Sequence, residues 1–305
     1  MTISADPTTL QDQFTAAMEG FYGSLSGPVG MQVQDLESGL TLTWNEHEIF
    51  PTASTLKIPL LYELYRQADA GEIDLAERVT LLHSDRVPGS GVYQHLDEGL
   101  QPTNRDLAEL MITVSDNWAT DIIYRRLGRQ RIAAMLQDLE LNDTSLPLTI
   151  RELFCTLAEL DPADPKVTWD YLREYLKTYD PKPENIGMLP DPRNDVSSPA
   201  DMVRLMGIIH RGEGLTPESR DAVIDILKHQ NFGSIIPYRL PTDAKIETAH
   251  KTGSLRGVKN DVGIVYSPDL SYAIAFMSRG QDDVPAVVDA MSHASRWVWD
   301  TLSAS

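Results

Sequence analysis

The segment 54–68 reads STLKIPLLYELYRQA, a serine followed three residues later by a lysine and then by an apolar run. The apolar run predicts a helix, and a spacing of three places Ser54 and Lys57 on one helix face, one turn apart. The start of a helix also offers backbone N–H groups and the positive end of the dipole. A lysine that loses its charge there can take the serine proton, which activates the serine without a histidine. The alternative is an ordinary N-cap serine beside an unremarkable helix lysine.

A second polar group, Ser115-Asp116-Asn117, lies where one predicted helix gives way to the next. In a functional interpretation Ser115 relays a proton, and the amide of Asn117 orients Lys57 and the substrate. Serine, aspartate and asparagine are also the preferred N-cap residues, so the same triplet is typical of a helix start. The pattern alone leaves both interpretations open.

A third group, Lys251-Thr252-Gly253, lies on a predicted edge strand near the end of the chain. Lys251 and Thr252 supply a cation and a hydroxyl that suit a carboxylate, and Gly253 lets a substrate backbone approach closely. The alternative is a strand end without a function.

Hydrophobic patterning outside these groups predicts the order of secondary structure. Period-two alternation predicts one β-hairpin over residues 29–45, with a turn at 37–39, and a second over residues 257–280. Helical spacing predicts a first helix over about residues 8–24 and a last helix that carries residues 287–302. Between the hairpins the pattern is mainly helical. The stretch 161–199 contains seven prolines and is too long for a simple connection, so it is either functional or an insertion.

This order predicts an α/β fold in which the N- and C-terminal segments share one antiparallel sheet flanked by helices, with a large all-helical insertion. We expect a single domain over residues 1–305. Its sheet subdomain would comprise about residues 1–52 and 219–305, and its helical subdomain about residues 53–218.

Composition and charge restrict the possible functions. The 305 residues are 42% hydrophobic and 23% charged, an ordinary soluble pattern that excludes a disordered or collagen-like chain. No apolar run reaches the length of about 18 residues that predicts a transmembrane helix. A net charge of −19 repels phosphate backbones and anionic lipids, so we expect neither a nucleic-acid partner nor a membrane partner.

Metal, nucleotide and export patterns are missing from the sequence. Its seven histidines form no H-E-x-x-H pair and it has no phosphate-binding glycine motif, so we predict no metal site. The single cysteine, Cys155, has apolar neighbours and is predicted to be a small buried side chain. The first residues lack the basic and apolar regions of a secretory signal. We expect a cytoplasmic location for the sequence as written, and secretion only if a signal has been removed.

The three polar groups, in this order, resemble the combined signature of class A β-lactamases and penicillin-binding proteins. Class A is the better match, because the second group is S-D-N rather than the Y-x-N of class C enzymes. The resemblance implies a serine β-lactamase-like fold and a small-molecule substrate, either a β-lactam or an acyl-peptide or ester. It implies no cofactor, because acyl transfer by a Ser–Lys pair needs none.

The resemblance assigns a role to each matching residue. It makes Ser54 the nucleophile, Lys57 the residue that helps to deprotonate it, and Ser115 the carrier of a proton to the leaving nitrogen. It makes Asn117 the residue that holds the substrate amide and Lys57. Binding of the substrate carboxylate falls to Lys251, Thr252 and Ser254, beside Gly253, with Arg256 as a possible second cation. The backbone N–H groups of Ser54 and Ser254 would form the oxyanion hole.

The sequence departs from class A at the residue that deacylates the enzyme. Class A enzymes use a glutamate in an E-x-x-L-N motif of the Ω loop, and no such motif lies between Ser115 and Asp195. Glu152 lies at about the right distance from Ser115, and Glu184 at about the right distance before Asp195. Either could substitute, or both could be surface carboxylates.

Three functions follow from this departure. The first is a class A-like β-lactamase with altered deacylation. The second is a serine peptidase, esterase or acyl-transferase that penicillins acylate but that turns them over slowly or not at all. The third is an idle binding scaffold, which would have no chemical need for both Lys57 and Ser115.

Overall fold

The N- and C-terminal segments of the chain contribute to one antiparallel sheet. The computed structural model describes residues 7–182, 184–242 and 245–304. The strand order of the sheet is β2-β1-β7-β6-β5, and β1 pairs with β7, so the prediction that the N- and C-terminal segments share a sheet is confirmed. The strands, numbered in chain order, are β1 (Val29–Asp35), β2 (Thr41–Trp44), β3 (Phe50–Pro51), β4 (Val196–Ser197), β5 (Glu247–Leu255), β6 (Val258–Tyr266) and β7 (Ser271–Ser278).

Helices cover both faces of the sheet, which explains why its central strands are apolar on both sides. Met31 and Phe276 face a core shared with the first and last helices, whereas Ala275 and Val262 face the core of the helical region. The helices are α1 (Pro7–Tyr22), α2 (Lys57–Asp69), α3 (Asn104–Thr113), α4 (Asn117–Leu127), α5 (Arg129–Asp138), α6 (Ile150–Leu157), α7 (Trp169–Leu176), α8 (Pro199–Arg211), α9 (Pro217–Lys228) and α10 (Val284–Leu302).

The two predicted hairpins are confirmed at β1–β2 and β6–β7. The first turns where the side chain of Asp35 accepts the N–H groups of Glu37 and Ser38 and where Gly39 has a φ of 75°. The helices between the sheet strands run to Lys228, beyond the predicted boundary at 218. The division into two subdomains stays a prediction. Within the described ranges, no helix is long and apolar enough to span a bilayer.

The proline-rich stretch 161–199 forms a packed unit beside α6. Val167 and Leu172 share a small core with Cys155 of α6, which confirms that this cysteine is a buried apolar side chain. The stretch ends at β4, which pairs with β3, and the carbonyl of Asp195 accepts the N–H of Thr52. The end of this loop is therefore tied to the residues immediately before Ser54.

Candidate active site

The segment around Ser54 is a 3₁₀ turn, Ala53–Leu56, that leads directly into α2. The helix begins at Lys57, so Ser54 precedes it rather than opening it. Ala53 has a φ of 47°, a strained value for a residue with a side chain. The turn is held from β6 by Asn260, whose Nδ2 donates to the carbonyls of Pro51 and Thr52 at 2.9 and 3.0 Å. Ser54 is thereby kept partly exposed on a fixed turn.

Lys57 is fully buried, and its Nζ has three oxygen partners. Nζ donates to the carbonyl of Ser115 at 2.7 Å and to Oδ1 of Asn117 at 2.9 Å. The third partner, the Oγ of Ser115 at 2.9 Å, accepts from the charged lysine and can donate to the lone pair of the neutral one. Burial holds the pKa of Lys57 well below its usual value, and the charge of Lys251 lowers it further, against an opposing effect of Asp116. This lowering favours the neutral form of the amine, which can accept a proton.

The triplet Ser115-Asp116-Asn117 serves both of the interpretations that its sequence allowed. Asp116 is the N-cap of α4, because its Oδ1 accepts the N–H of Ala119 at 3.0 Å. The residues on either side of it face Lys57 instead. Ser115 does so with a φ of 57°, and Asn117 is fixed by its Nδ2, which donates to the carbonyl of Pro88 at 2.9 Å. The capping aspartate thus places the two polar groups beside the lysine.

A serine that sequence reasoning missed completes this cluster. Ser90 belongs to the loop that precedes α3, and its Oγ donates to the carbonyl of Ser115 at 2.6 Å. The same Oγ lies 3.3 Å from Oδ1 of Asn117. The surrounding sequence PGSG signals a turn, but no local pattern shows that this turn folds onto residues 115–117.

The edge strand β5 places the third predicted group beside Ser54. A Cβ added to Gly253 would lie 2.7 Å from the carbonyl oxygen of Thr52 and 3.2 Å from the backbone nitrogen of Ser54. The close approach that this glycine permits is therefore to the chain's own turn. Lys251 is fully buried, its Nζ donates to the carbonyl of Thr252 at 2.8 Å, and burial lowers its pKa to about 7.

These elements enclose a cavity of about 460 Å³. Its polar lining comprises Ser54, Ser90, Ser115, Asn117, Ser234, Thr252, Ser254, Lys259 and Asn260. Lys57 and Lys251 lie buried behind this lining. The structure therefore brings the three predicted groups together at one cavity, although they are far apart in the sequence.

The second cation at the cavity is Lys259, not Arg256. The guanidinium of Arg256 is exposed, forms an ion pair with Asp180 and lies 3.4 Å from the carbonyl of Pro181. Lys259 lines the cavity, and its Nζ donates to the Oγ of Ser254 at 2.8 Å. It could have been predicted only from the register of the β5–β6 hairpin, in which residues 254 and 259 are paired.

The wall of the cavity that α6 forms is apolar. Ile150, Leu153 and Phe154 of α6 line it, at the spacing of one helix face. Glu152 lies on the same helix but in its capping box, where its Oε2 accepts the N–H of Thr149 at 2.8 Å. Glu184 is exposed and does not line the cavity. Among the described residues that line the cavity, none is aspartate or glutamate.

Comparison with known proteins agrees with this geometry. The family model described as "Beta-lactamase enzyme family" matches residues 9–302. A β-lactamase from Sphaerobacter thermophilus DSM 20745 is 28% identical with a TM-score of 0.79, over 96% of this chain and 97% of its own. The structure of PBP-A is 28% identical with a TM-score of 0.76, over 97% of this chain and 96% of its own.

A further structure is the penicillin G acyl-enzyme of a leucine-to-glutamate variant of PBP-A, which is 27% identical to this chain. It has a TM-score of 0.76 and covers 97% of both chains. The family match spans nearly the whole chain, and the fold agrees with both kinds of relative. The protein therefore belongs to the β-lactamase enzyme family and is a serine β-lactamase-like hydrolase.

Proposed function

We propose that the protein is a penicillin-binding serine hydrolase that is acylated at Ser54 and releases the acyl group slowly. The observation that carries this proposal is the composition of the cavity. Its surroundings provide every group that acylation needs, yet its described lining has no carboxylate to activate a deacylating water. The class A-like β-lactamase, which must deacylate quickly, is therefore the less favoured alternative.

Acylation follows from the contacts of Lys57. Neutral Lys57 accepts the Ser54 proton, directly or through the Oγ of Ser115, which lies 2.9 Å from Nζ. The Oγ of Ser54 bonds to the carbonyl carbon of the substrate, and the bond from that carbon to the leaving nitrogen or oxygen breaks. Ser115 then passes the proton from Lys57 to the leaving atom. The backbone N–H groups of Ser54 and Ser254 stabilise the oxyanion, and Asn117 holds the substrate amide.

The substrate carboxylate binds at β5. Thr252 and Ser254 offer hydroxyls at the cavity surface, and Lys259 adds an ammonium group there. Lys251 contributes its charge from a buried position, where its Nζ donates to the carbonyl of Thr252. A charged donor makes a stronger hydrogen bond to a carboxylate than a neutral one. This arrangement favours substrates with a free carboxylate, such as penicillins and acyl-peptides.

Slow deacylation follows from the wall at α6. Hydrolysis of the acyl-enzyme needs a base within hydrogen-bond reach of a water molecule. The side chains of Ile150, Leu153 and Phe154 have no atom that accepts a proton or holds a water. The PBP-A variant was captured as an acyl-enzyme with penicillin G, which supports penicillin as a suitable probe of this chain.

The first test is the intact-protein mass during a time course with benzylpenicillin. We expect one drug molecule to add to each protein molecule and to stay bound over many minutes, with little hydrolysed drug. A transient adduct with accumulating hydrolysed drug would show efficient deacylation and a true β-lactamase. The absence of any adduct would contradict acylation by penicillins altogether.

Removing the charge of Lys259 should weaken recognition of a substrate carboxylate. Because a charge-assisted hydrogen bond contributes about 1.5–3 kcal/mol, Lys259→Met should lower the second-order acylation rate by benzylpenicillin about 10- to 100-fold. The methyl ester of benzylpenicillin should be much less affected, since it has no carboxylate. Arg256→Met is the matched control, because Arg256 is paired with Asp180 outside the cavity. An equal loss with both substrates would contradict a role in carboxylate binding.

A further inference from the structure

A buried histidine–aspartate pair lies directly beside the predicted carboxylate site and has no part in the mechanism described so far. His250 of β5 and Asp261 of β6 are 2% and 0% exposed, and Nδ1 of His250 lies 2.8 Å from Oδ1 of Asp261. Burying a charged carboxylate is costly unless its oxygens accept hydrogen bonds. The pair therefore needs a structural reason, and its contacts supply one.

The second oxygen of Asp261 holds the wall of the cavity. Oδ2 of Asp261 accepts a hydrogen bond from the N–H of Ile236 at 2.9 Å. The carbonyl of Ile236 accepts a hydrogen bond from the Oγ of Ser295, on α10, at 2.8 Å. Ile236 follows Ser234 and Ile235, which line the cavity. The segment 234–236 belongs to neither a helix nor a strand. Its backbone is held at Ile236 by the side chains of Asp261 and Ser295.

Asp261 also acts on Lys251. Residue 261 pairs with Thr252 across the β5–β6 ladder, so its carboxylate lies on the face of the sheet opposite to Lys251 and acts on the lysine through the sheet rather than by contact. Burial disfavours the charged form of Lys251, and the negative charge of Asp261 raises its pKa in the opposite direction. The nearby cations are Lys57 at the start of α2 and Lys259 on β6, and Asp116, the N-cap of α4, is a carboxylate that acts on Lys57. The carboxylates of α9 are exposed: Glu218, Asp221 and Asp225. On the α9 side, Glu247 is paired with Lys228 near the other end of β5.

We propose that Asp261 is a positioning residue for acyl transfer, with His250 as its hydrogen-bond partner. Its carboxylate fixes the cavity wall at residues 234–236 and keeps the neighbouring Lys251 cationic for a substrate carboxylate. This inference rests on the proposed function, since it assigns Asp261 to the carboxylate-binding side of the same site. Both the position of the cavity wall and the charge of Lys251 would then depend on the buried carboxylate of Asp261.

The test compares the pH dependence of acylation with two substrates, benzylpenicillin and its uncharged methyl ester. In the wild-type protein, acylation by benzylpenicillin should fall as pH rises through about 7, because Lys251 loses its proton. The ester should lack this alkaline limb. Asp261→Asn removes the negative charge, so the limb for benzylpenicillin should move about 1 pH unit lower. Acylation by both substrates should also slow, because the wall is released.

A merely structural role of Asp261 would slow both substrates without moving the limb, and that result would overturn the proposal. Asp269→Asn, the same change in the exposed β6–β7 turn, is the matched control and should leave rates and limb as in the wild type. Near-UV circular dichroism establishes that each variant is folded.

Ser295→Ala keeps the proposal testable if Asp261→Asn does not fold. It releases the carbonyl of Ile236 but leaves the charge of Asp261, so both acylation rates should fall with the limb unmoved. A moved limb in this variant, or a wild-type limb that is the same for both substrates, would refute the role of Asp261. These outcomes differ from failure of the proposed function, in which no wild-type adduct forms with either substrate.

Discussion

The Ser54→Ala variant should form no covalent adduct with benzylpenicillin, whereas the wild-type protein should be labelled completely. Ser54 lines the cavity from the 3₁₀ turn immediately before α2, whose first residue is the buried Lys57. Alanine removes the only atom that can form the ester bond, so the loss should be total rather than partial. Intact-protein mass after incubation with excess drug measures the result.

Two companion variants make this experiment selective. Ser234→Ala removes another cavity-lining serine, which makes no hydrogen bond to a lysine in the described part of the chain. The Ser234→Ala protein should still be labelled. Lys57→Met keeps the nucleophile but removes its base, so acylation should slow by about 10²- to 10⁴-fold without vanishing. Labelling of the Ser54→Ala protein would place the nucleophile elsewhere and contradict the acylation mechanism.

Local sequence patterns predicted the two hairpins of the sheet and the separation of Ser54 and Lys57 by one turn. A hairpin depends on alternation and on a turn a few residues long, so β1–β2 and β6–β7 are evident from the chain itself. Ser54 and Lys57 are close in sequence, and their separation by one turn survives even though the helix begins later than expected.

Contacts between distant segments were beyond prediction for a physical reason. Arg256 is nearer in sequence to Lys251 than Lys259 is, but the hairpin register brings Lys259 to Ser254 and leaves Arg256 outside. Ser90 reaches Asn117 only because the loop before α3 folds over α4. Such contacts depend on tertiary packing, and tertiary packing produces no repeating pattern of residues from which they could be predicted.

The deacylation residue illustrates a different limit. Counting from Ser115 and from Asp195 gave two glutamates, but helical periodicity decides which side of α6 faces the cavity. Residues 150, 153 and 154 share that face, and Glu152 points to the helix cap instead. Glu152 therefore lies on the helix that lines the cavity, but not on the face that lines it.

The two buried lysines explain how one cavity holds both a base and a cation. Each lysine has a negative neighbour, Asp116 for Lys57 and Asp261 for Lys251, but repulsion from a second cation lowers the pKa of Lys57 alone. Of two neighbouring amines, the one with the lower pKa loses its proton first. We therefore expect Lys57 to be the neutral member, as its role in acylation requires.

Replacing Ile150 with glutamate should convert a long-lived acyl-enzyme into one that turns over. Ile150 lines the cavity at the first residue of α6 and is 4% exposed. A carboxylate there would gain from the helix N-terminus and could hold and deprotonate a water near the ester at Ser54. Deacylation should accelerate at least about 10²-fold, as expected for an added general base. The measurement is the decay of the benzylpenicillin adduct after excess drug is removed.

Ile150→Gln is the matched control, because glutamine has nearly the shape of glutamate and can hold a water but cannot take its proton. Its adduct should persist about as long as that of the wild type. Equal decay of the Ile150→Glu and Ile150→Gln adducts would show that room for water, rather than a missing base, limits hydrolysis. Unchanged decay in the Ile150→Glu protein, with acylation intact, would show that the apolar wall does not cause slow release. Rapid decay of the Ile150→Glu adduct alone would assign the stability of the acyl-enzyme to one side chain on the cavity face of α6.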